Sequence, residues 1–296
     1  MTASEVRIVP VTSEEQRREF AKFPWKIYRD DPYWVAPIYM DRLTLLDPAK
    51  HPFHEHAEVQ LFMAMKGEEL VGTISAHINH GHNEVFKDKV GFFGFFEVIE
   101  DYAVAQALLE TAGDWLWERG MEAIRGPESF SQNEECGLLV DGFDAPPVVL
   151  MTYNPRYYQD FIERAGFGKA QDLYAWDLLT TIFDLDPQRL PRKFLRVAEE
   201  ARKREGLVIR PIDMKNFDDE VERVKKVYNA AWEQNWGFVP LTDHEIDHLA
   251  AEMKMIIDPD LVHFAELNGE PIGICLGLPD VYQACLLYTS DAADDN

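Results

Sequence analysis

Glu97 lies in a run from Val90 to Ile99 that is almost continuously apolar and aromatic. A carboxylate among Phe93, Phe95 and Phe96 should hold its proton to unusually high pH, which suits a general base. A strand-end glutamate solvated at a sheet rim is the plainer reading of the same residue. Tyr158, near the start of a second apolar segment, has the chemistry of a proton donor, and Asn154 and Tyr157 stand beside it. The polar loop from Glu128 to Gly137, with Glu128, Asn133 and Glu134, suits a cationic amine, although any surface loop would be polar. Six of the nine histidines fall between His51 and His82. Two clusters, His54-Glu55-His56 and His77 to His82, could meet across a hairpin around a metal ion. No acidic or cysteine ligand completes a recognised spacing, so no metal site is assigned.

These residues need a scaffold, and its order is readable. Val6 to Val11 alternates as a strand, and Thr12-Ser13-Glu14-Glu15 offers a cap for a helix running toward Tyr28. Prolines at 32, 37, 48 and 52 predict loop from Asp30 to Pro52. Val59 to Met65 and Leu70 to Ile78 form a hairpin about Gly67, and Val90 to Ile99 reads as a strand covered on both faces. Tyr102 to Gly120 is helical, Ala123 to Pro127 a short strand, Pro155 to Ala165 a helix, and Leu173 to Leu179 a closing strand. Pro187 to Glu205 is a basic amphipathic segment in which Glu199, Glu200 and Glu205 interrupt the positive field, as in a solvated linker helix.

The opening pattern then returns. Val6 to Val11 resembles Val208 to Ile212, and Phe62 to Glu68 resembles Phe264 to Glu270; Val6 to Phe62 and Val208 to Phe264 both span 56 positions. Shared order and spacing predict a duplicated domain. Helices are expected from Asp218 to Trp232 and Asp243 to Ile257, and a hairpin from Leu261 to Leu278. The expected boundaries are a complete domain at 1–180, a linker helix at 181–206, the first half of a second domain at 207–280 and a tail at 281–296. The tail has no counterpart in the first copy, and Cys285 to Asp295 resembles a cloning or assembly scar. That reading makes the second copy truncated, leaves its hairpin with an unfinished sheet edge, and predicts self-association through it.

With 296 residues, 46% hydrophobic, there is apolar material for two cores. A formal charge of −24 disfavours nucleic-acid and anionic-membrane partners. No apolar run reaches the roughly 18 residues that span a bilayer, the start is unlike a signal peptide, and three scattered cysteines suggest no disulfide framework. The expected setting is cytoplasmic.

The element order, strand, helix, loop, hairpin, buried strand, helix, strand, helix, strand, resembles the GCN5-related N-acetyltransferase (GNAT) superfamily. Asn154 to Phe167, an asparagine, a short helix and a terminal Gly-Phe, looks like its late motif. The resemblance implies an α/β fold, a mixed central sheet flanked by helices, duplicated here with the second copy incomplete. It also implies acyl transfer from acetyl-CoA or another acyl-CoA to a small amine or peptide acceptor. Glu97 would be base and Tyr158 donor, with Glu128, Asn133, Glu134, Asn154 and Tyr157 lining the acceptor groove. The superfamily's phosphate turn carries Arg or Gln, then two glycines, then a leucine pair. Matching Leu108 and Leu109 to that pair assigns the cofactor turn to Tyr102, Ala103, Val104 and Ala105, and puts Glu100, Ala103 and Ala105 at the basic and glycine positions. The usual tyrosine position is Ile162. These departures predict a degenerate cofactor turn in the first copy and leave a rival reading, a non-catalytic GNAT-fold module binding a peptide or small polar ligand.

Overall fold

The protein is seen in a computed structural model that describes residues 5–179, 181 and 186–286. It divides into two compact units, one of residues 5–170, 234–248 and 280–286, the other of the remaining described residues. The division differs from the boundaries at 180 and 207: residues 171–179 fall in the second unit, and 234–248 and 280–286 in the first.

The first unit is built on a five-stranded sheet in the order β1 (Val6–Pro10), β2 (Ala57–Lys66), β3 (Glu69–Asn79), β4 (Val90–Val98), β5 (Ala123–Arg125). Its first four strands are antiparallel neighbours, and β4 and β5 are parallel. This mixed sheet with flanking helices is the GNAT-like α/β arrangement. The helix α1 (Glu14–Lys22) starts on a reciprocal capping box of Ser13 and Gln16. It stops short of Tyr28 because Pro24 opens a separate turn, α2 (Pro24–Ile27). The segment expected as loop contains a short helix, α3 (Tyr39–Leu45), and the histidines after β3 open another, α4 (His80–Phe86), capped by Asn79. The helix α5 (Tyr102–Trp117) covers one sheet face, burying Val104, Ala105, Leu108, Leu109, Ala112 and Leu116. With it packs α6 (Tyr157–Arg164). A second core, of Phe20, Phe53, Leu61, Met63, Phe95 and Phe130, forms around α1 and α3. The fully buried His77 belongs to this aromatic setting, stacked on Phe92 at 5.6 Å, and burial pushes its imidazole down to about 3, so it is a neutral packing residue.

Leu173 to Leu179 is not a strand. Leu173, Tyr174, Trp176 and Leu178 are exposed; strand-forming residues need a neighbouring edge, and among the described residues the three-residue β5 pairs only with β4.

The second unit holds α7 (Arg192–Arg202), α8 (Phe217–Trp232) and an antiparallel sheet of β6 (Leu207–Pro211), β7 (Val262–Leu267) and β8 (Glu270–Leu276). The helix α9 (Asp243–Met253) is divided between the units. Register corrects the match made on sequence by one residue. Val6 pairs with Lys66 as Leu207 pairs with Leu267, both 201 positions on, and the bulge after Ala64 returns after Ala265. A one-residue slip would invert every face, so Phe264 stands where Met63 does, not Phe62. Residues 281–286, expected to lack structure, close a helical turn through Cys285 N–H to Val281 O at 3.2 Å. The rest of the tail lies outside the described residues.

Candidate active site

The site is made by an irregularity in β4. Opposite β3, Gly94 pairs with Ser75 and Glu97 with Thr73, so β4 carries one residue more than its partner. Phe95 absorbs it with φ at +45°, outside the range a phenylalanine prefers. A bulge resets the alternation of side chains. Phe93, Phe96 and Val98 consequently share the core under α5, whereas Phe95 joins the opposite core. Without the extra residue, Glu97 would follow Phe93 beneath α5. With it, Glu97 turns toward α2 and α3.

There Glu97 meets two tyrosines. Tyr28 donates its hydroxyl to Oε2 at 3.0 Å and Tyr158 donates to the same oxygen at 2.8 Å. Among the described residues no hydrogen bond runs to Oε1, and Glu97 keeps part of its surface accessible. Burial pushes the carboxyl up to about 7, against the pull of the Arg42 charge and of the two hydroxyls. Arg42 is buried, lies 5.2 Å over the Phe95 ring, and has no hydrogen-bond partner on Nε. Burial also raises the carboxyl of Glu135, again opposed by Arg42. The arrangement is a strand-borne carboxylate poised to exchange a proton near neutrality, with one oxygen fixed and the other unengaged.

Of the expected residues, Glu97 and Tyr158 are brought together, but Tyr158 is only 1% exposed. Its hydroxyl also accepts from Val98 N–H at 2.8 Å. Its place suits holding Glu97, and the donor role expected for it would need an exposure it lacks. Tyr157 donates to Val98 O at 2.7 Å, fixing the same strand end. Asn154 is largely engaged: its Oδ1 accepts from Leu139 N–H at 2.7 Å, and both Nδ2 hydrogens are used, on Leu139 O and Pro155 O. It is a buried latch for the loop, with no donor left for an acceptor substrate. Glu128 is buried, not facing a groove; burial pushes it up to about 7, with the Cys136 thiol 3.8 Å away. Asn133 and Glu134 are half-buried in the loop.

The cofactor turn fits a pyrophosphate poorly. The Asp101 carboxylate accepts from Ala103 N–H at 3.0 Å, and its carbonyl accepts from the N–H groups of Val104 and Ala105. Lys66 pairs with that carboxylate. The N–H groups of Ala103, Val104 and Ala105, which a phosphate would need, are already taken by the carboxylate and the carbonyl of Asp101. Val104 and Ala105 point into core, Ala103 is exposed, and Tyr102 is covered by Arg164 at 3.8 Å.

Sequence reasoning missed Tyr28, Arg42 and Glu135. Tyr28 and Arg42 sit at a helix end and in a proline-rich stretch, where spacing says nothing of a residue 69 or 55 positions away. The only available signal was an arginine on the apolar side of Tyr39–Leu45. Tyr28 stacks on Trp34 at 4.9 Å, and beside it an open cleft of about 620 Å³ is lined by residues 26, 27 and 29–32. In that cleft Asp31 accepts the Tyr153 hydroxyl at 2.9 Å.

Among the described residues no group of three His, Cys, Asp or Glu side chains is arranged to hold a metal ion, and no helix is long and apolar enough to cross a membrane. No protein-family model matches the chain. Among solved structures, an acetyltransferase from Pyrococcus furiosus is 22% identical over 59% of this chain and all of that one, with a TM-score of 0.36. A GCN5-related glucosamine N-acetyltransferase region of a fungal multi-domain β-N-acetylglucosaminidase is 10% identical and covers 92% of this chain and 27% of that one, with a TM-score of 0.46. A protein of Escherichia coli K12, YghO, is 34% identical over 90% of this chain and 66% of its own length. A protein of Caulobacter vibrioides is 38% identical over 286 residues, 96% of this chain and 72% of that one, and is named bacterial ceramide synthase. Kinship of that extent and identity places the chain in the bacterial ceramide synthase family.

Proposed function

We propose that the protein is an N-acyltransferase that joins a long-chain acyl group, delivered as a thioester, to the amine of a sphingoid base. A ceramide is an amide of that kind, and the name of the Caulobacter relative supplies the substrate class. The observation that carries the reading is Glu97, a carboxylate pushed up to about 7 and held through one oxygen by Tyr28 and Tyr158. In the reaction the amine nitrogen forms a bond to the thioester carbonyl carbon, the C–S bond breaks, and the amine proton passes to Glu97. The thiolate leaves and takes a proton from solvent.

The thioester carrier is left as a class. Acyl-CoA is the family expectation, but the capped turn at Asp101 does not favour its pyrophosphate there. We further propose that the two sheets descend from one duplicated domain, which the shared register and shared bulge support. The test of function is amide formation from a fatty acyl thioester and a sphingoid base, followed by mass spectrometry. Glu97→Gln should lower kcat by about 10²- to 10⁴-fold while the far-ultraviolet dichroism is unchanged. A fully active variant would remove the proposal in favour of the non-catalytic module.

A further inference from the structure

The helix α7 (Arg192–Arg202) buries none of its eleven residues. Phe194 is 65% exposed and Val197 58%. At the helical repeat, Phe194, Leu195, Val197, Ala198 and Ala201 share an arc of about 160°. Arg192, Lys193 and Arg196 lie on the opposite side together with Glu199 and Glu200, and Arg202 falls inside the arc near its Leu195 edge. An isolated helix shorter than about 12 residues is marginal in water. Neither propensity nor packing accounts for this one, so its stability calls for something against its apolar face.

Charge selects the occupant. Residues 187–205 carry seven arginines and lysines and three glutamates, in a chain whose formal charge is −24. Among the described residues one salt bridge of this helix is internal, Lys203 to Glu200 at 2.8 Å; Arg192, Lys193 and Arg196 have none. A cationic patch isolated on an acidic protein is complementary to an anionic surface. An apolar face beside it distinguishes a lipid bilayer from a nucleic acid, which would make no use of Phe194 and Val197.

We propose that α7 is an interfacial helix that lies on an anionic lipid surface, its apolar arc at the acyl boundary and its cations among the headgroups. This goes beyond the proposed reaction and does not depend on it, although an enzyme with a lipid acceptor would gain from working at the bilayer. It replaces the expectation of no membrane partner with peripheral binding.

The test is sedimentation of the full chain with vesicles of phosphatidylcholine alone or with 30% phosphatidylglycerol, with light scattering of the free protein alongside. Binding is expected to the anionic vesicles only. Phe194→Asp should abolish it, and Arg192→Gln with Arg196→Gln should weaken it by about fivefold for each cation removed. Circular dichroism reports that the variants are folded, and the vesicle readout is independent of acyl transfer. Three outcomes overturn the proposal: no binding to anionic vesicles; an oligomer that Phe194→Asp dissolves, which would make a second copy the occupant; or binding to a DNA duplex that Phe194→Asp leaves intact.

Discussion

The sheet of β1, β2 and β3 and the sheet of β6, β7 and β8 share strand order, register and the position of a bulge, yet differ in everything laid against them. In the first, β3 is continued by β4, and α5 crosses its face. In the second, among the described residues, no strand follows β8. The acids differ too. Glu220 is 3% exposed and accepts from Arg210 at 3.0 Å, and Glu266 accepts from the same guanidinium at 2.6 Å. Glu97, partly accessible, and Glu128, buried, have no hydrogen-bonded cation, and burial of the carboxyl pushes both up to about 7. A common hairpin framework is therefore compatible with chemistry in one place and plain ion pairing in the other. What separates them is the strand and loop that follow.

The largest expected effect lies on that added strand. Glu97→Gln should remove about 10²- to 10⁴-fold of the rate, whereas Glu266→Gln, on the second sheet, should leave the rate unchanged. In the wild-type protein the rate should climb between pH 6 and 8, since the base must be ionised and its carboxyl sits at about 7. Equal losses in the two variants would end the distinction between the sheets.

The acids can be compared by stability. The ordinary carboxyl value of 4.5 is raised to about 7 at Glu128. Between those values the unfolded chain is ionised and the folded one is still protonated, so stability falls as pH rises through that window. Glu128→Gln should gain about 3 kcal/mol at pH 8 and little at pH 4. Glu220→Gln, which deprives Arg210 of a partner, should lower stability at pH 8. Denaturant melts at both pH values check the opposite signs.

Gly72 and Gly273 are equivalent by register, pairing with Ala64 and Ala265. A Cβ on Gly72 would meet Leu108 Cδ1 at 2.7 Å, Glu97 O at 3.1 Å and Val104 Cγ1 at 3.2 Å, whereas on Gly273 it would meet only Ala265 Cβ, at 3.7 Å. Gly72→Ala should cost about 1–3 kcal/mol, and Gly273→Ala should be tolerated. A costly Gly273→Ala would mean that its face is covered in solution.

How far the sequence led follows from the range over which each signal acts. The hairpins, β4, α5, α6 and α8 were legible because their alternation or helical period is local. The α1–α2 break is written in Pro24, which a helix carried from the Thr12–Glu15 cap to Tyr28 runs through. Leu173 to Leu179 has a strand's composition, and composition cannot supply a partner edge. Glu97 was found because its neighbours in sequence are also its neighbours in space. Tyr28 and Arg42 reach it only through the fold, and the bulge at Phe95 that turns Glu97 toward them comes from pairing with Ser75 and Thr73, which no pattern within β4 reveals. The resemblance puts Asn154 and Glu128 in the acceptor groove. The engagement of Asn154 depends on Leu139, and the burial of Glu128 on the loop crossing Gly94, where a Cβ would meet Glu128 O.

The smallest expected effect isolates what Tyr28 does. Its hydroxyl stabilises the ionised form of Glu97, so removing it should raise the carboxyl further. Tyr28→Phe keeps the ring and its stacking on Trp34 while deleting one donor at 3.0 Å. A hydrogen bond to the carboxylate exceeds one to the neutral acid by about 1 kcal/mol, which corresponds to roughly half to one pH unit at the base. The pH–rate curve of the variant should shift to higher pH by that amount, with a few-fold loss at pH 7 that disappears by about pH 9. Tyr158→Phe should shift the curve the same way and also lower stability, because Val98 N–H then loses its buried acceptor. A loss in Tyr28→Phe that is the same at every pH would mean that Tyr28 acts on substrate or on packing, and that Glu97 owes its poise to burial alone.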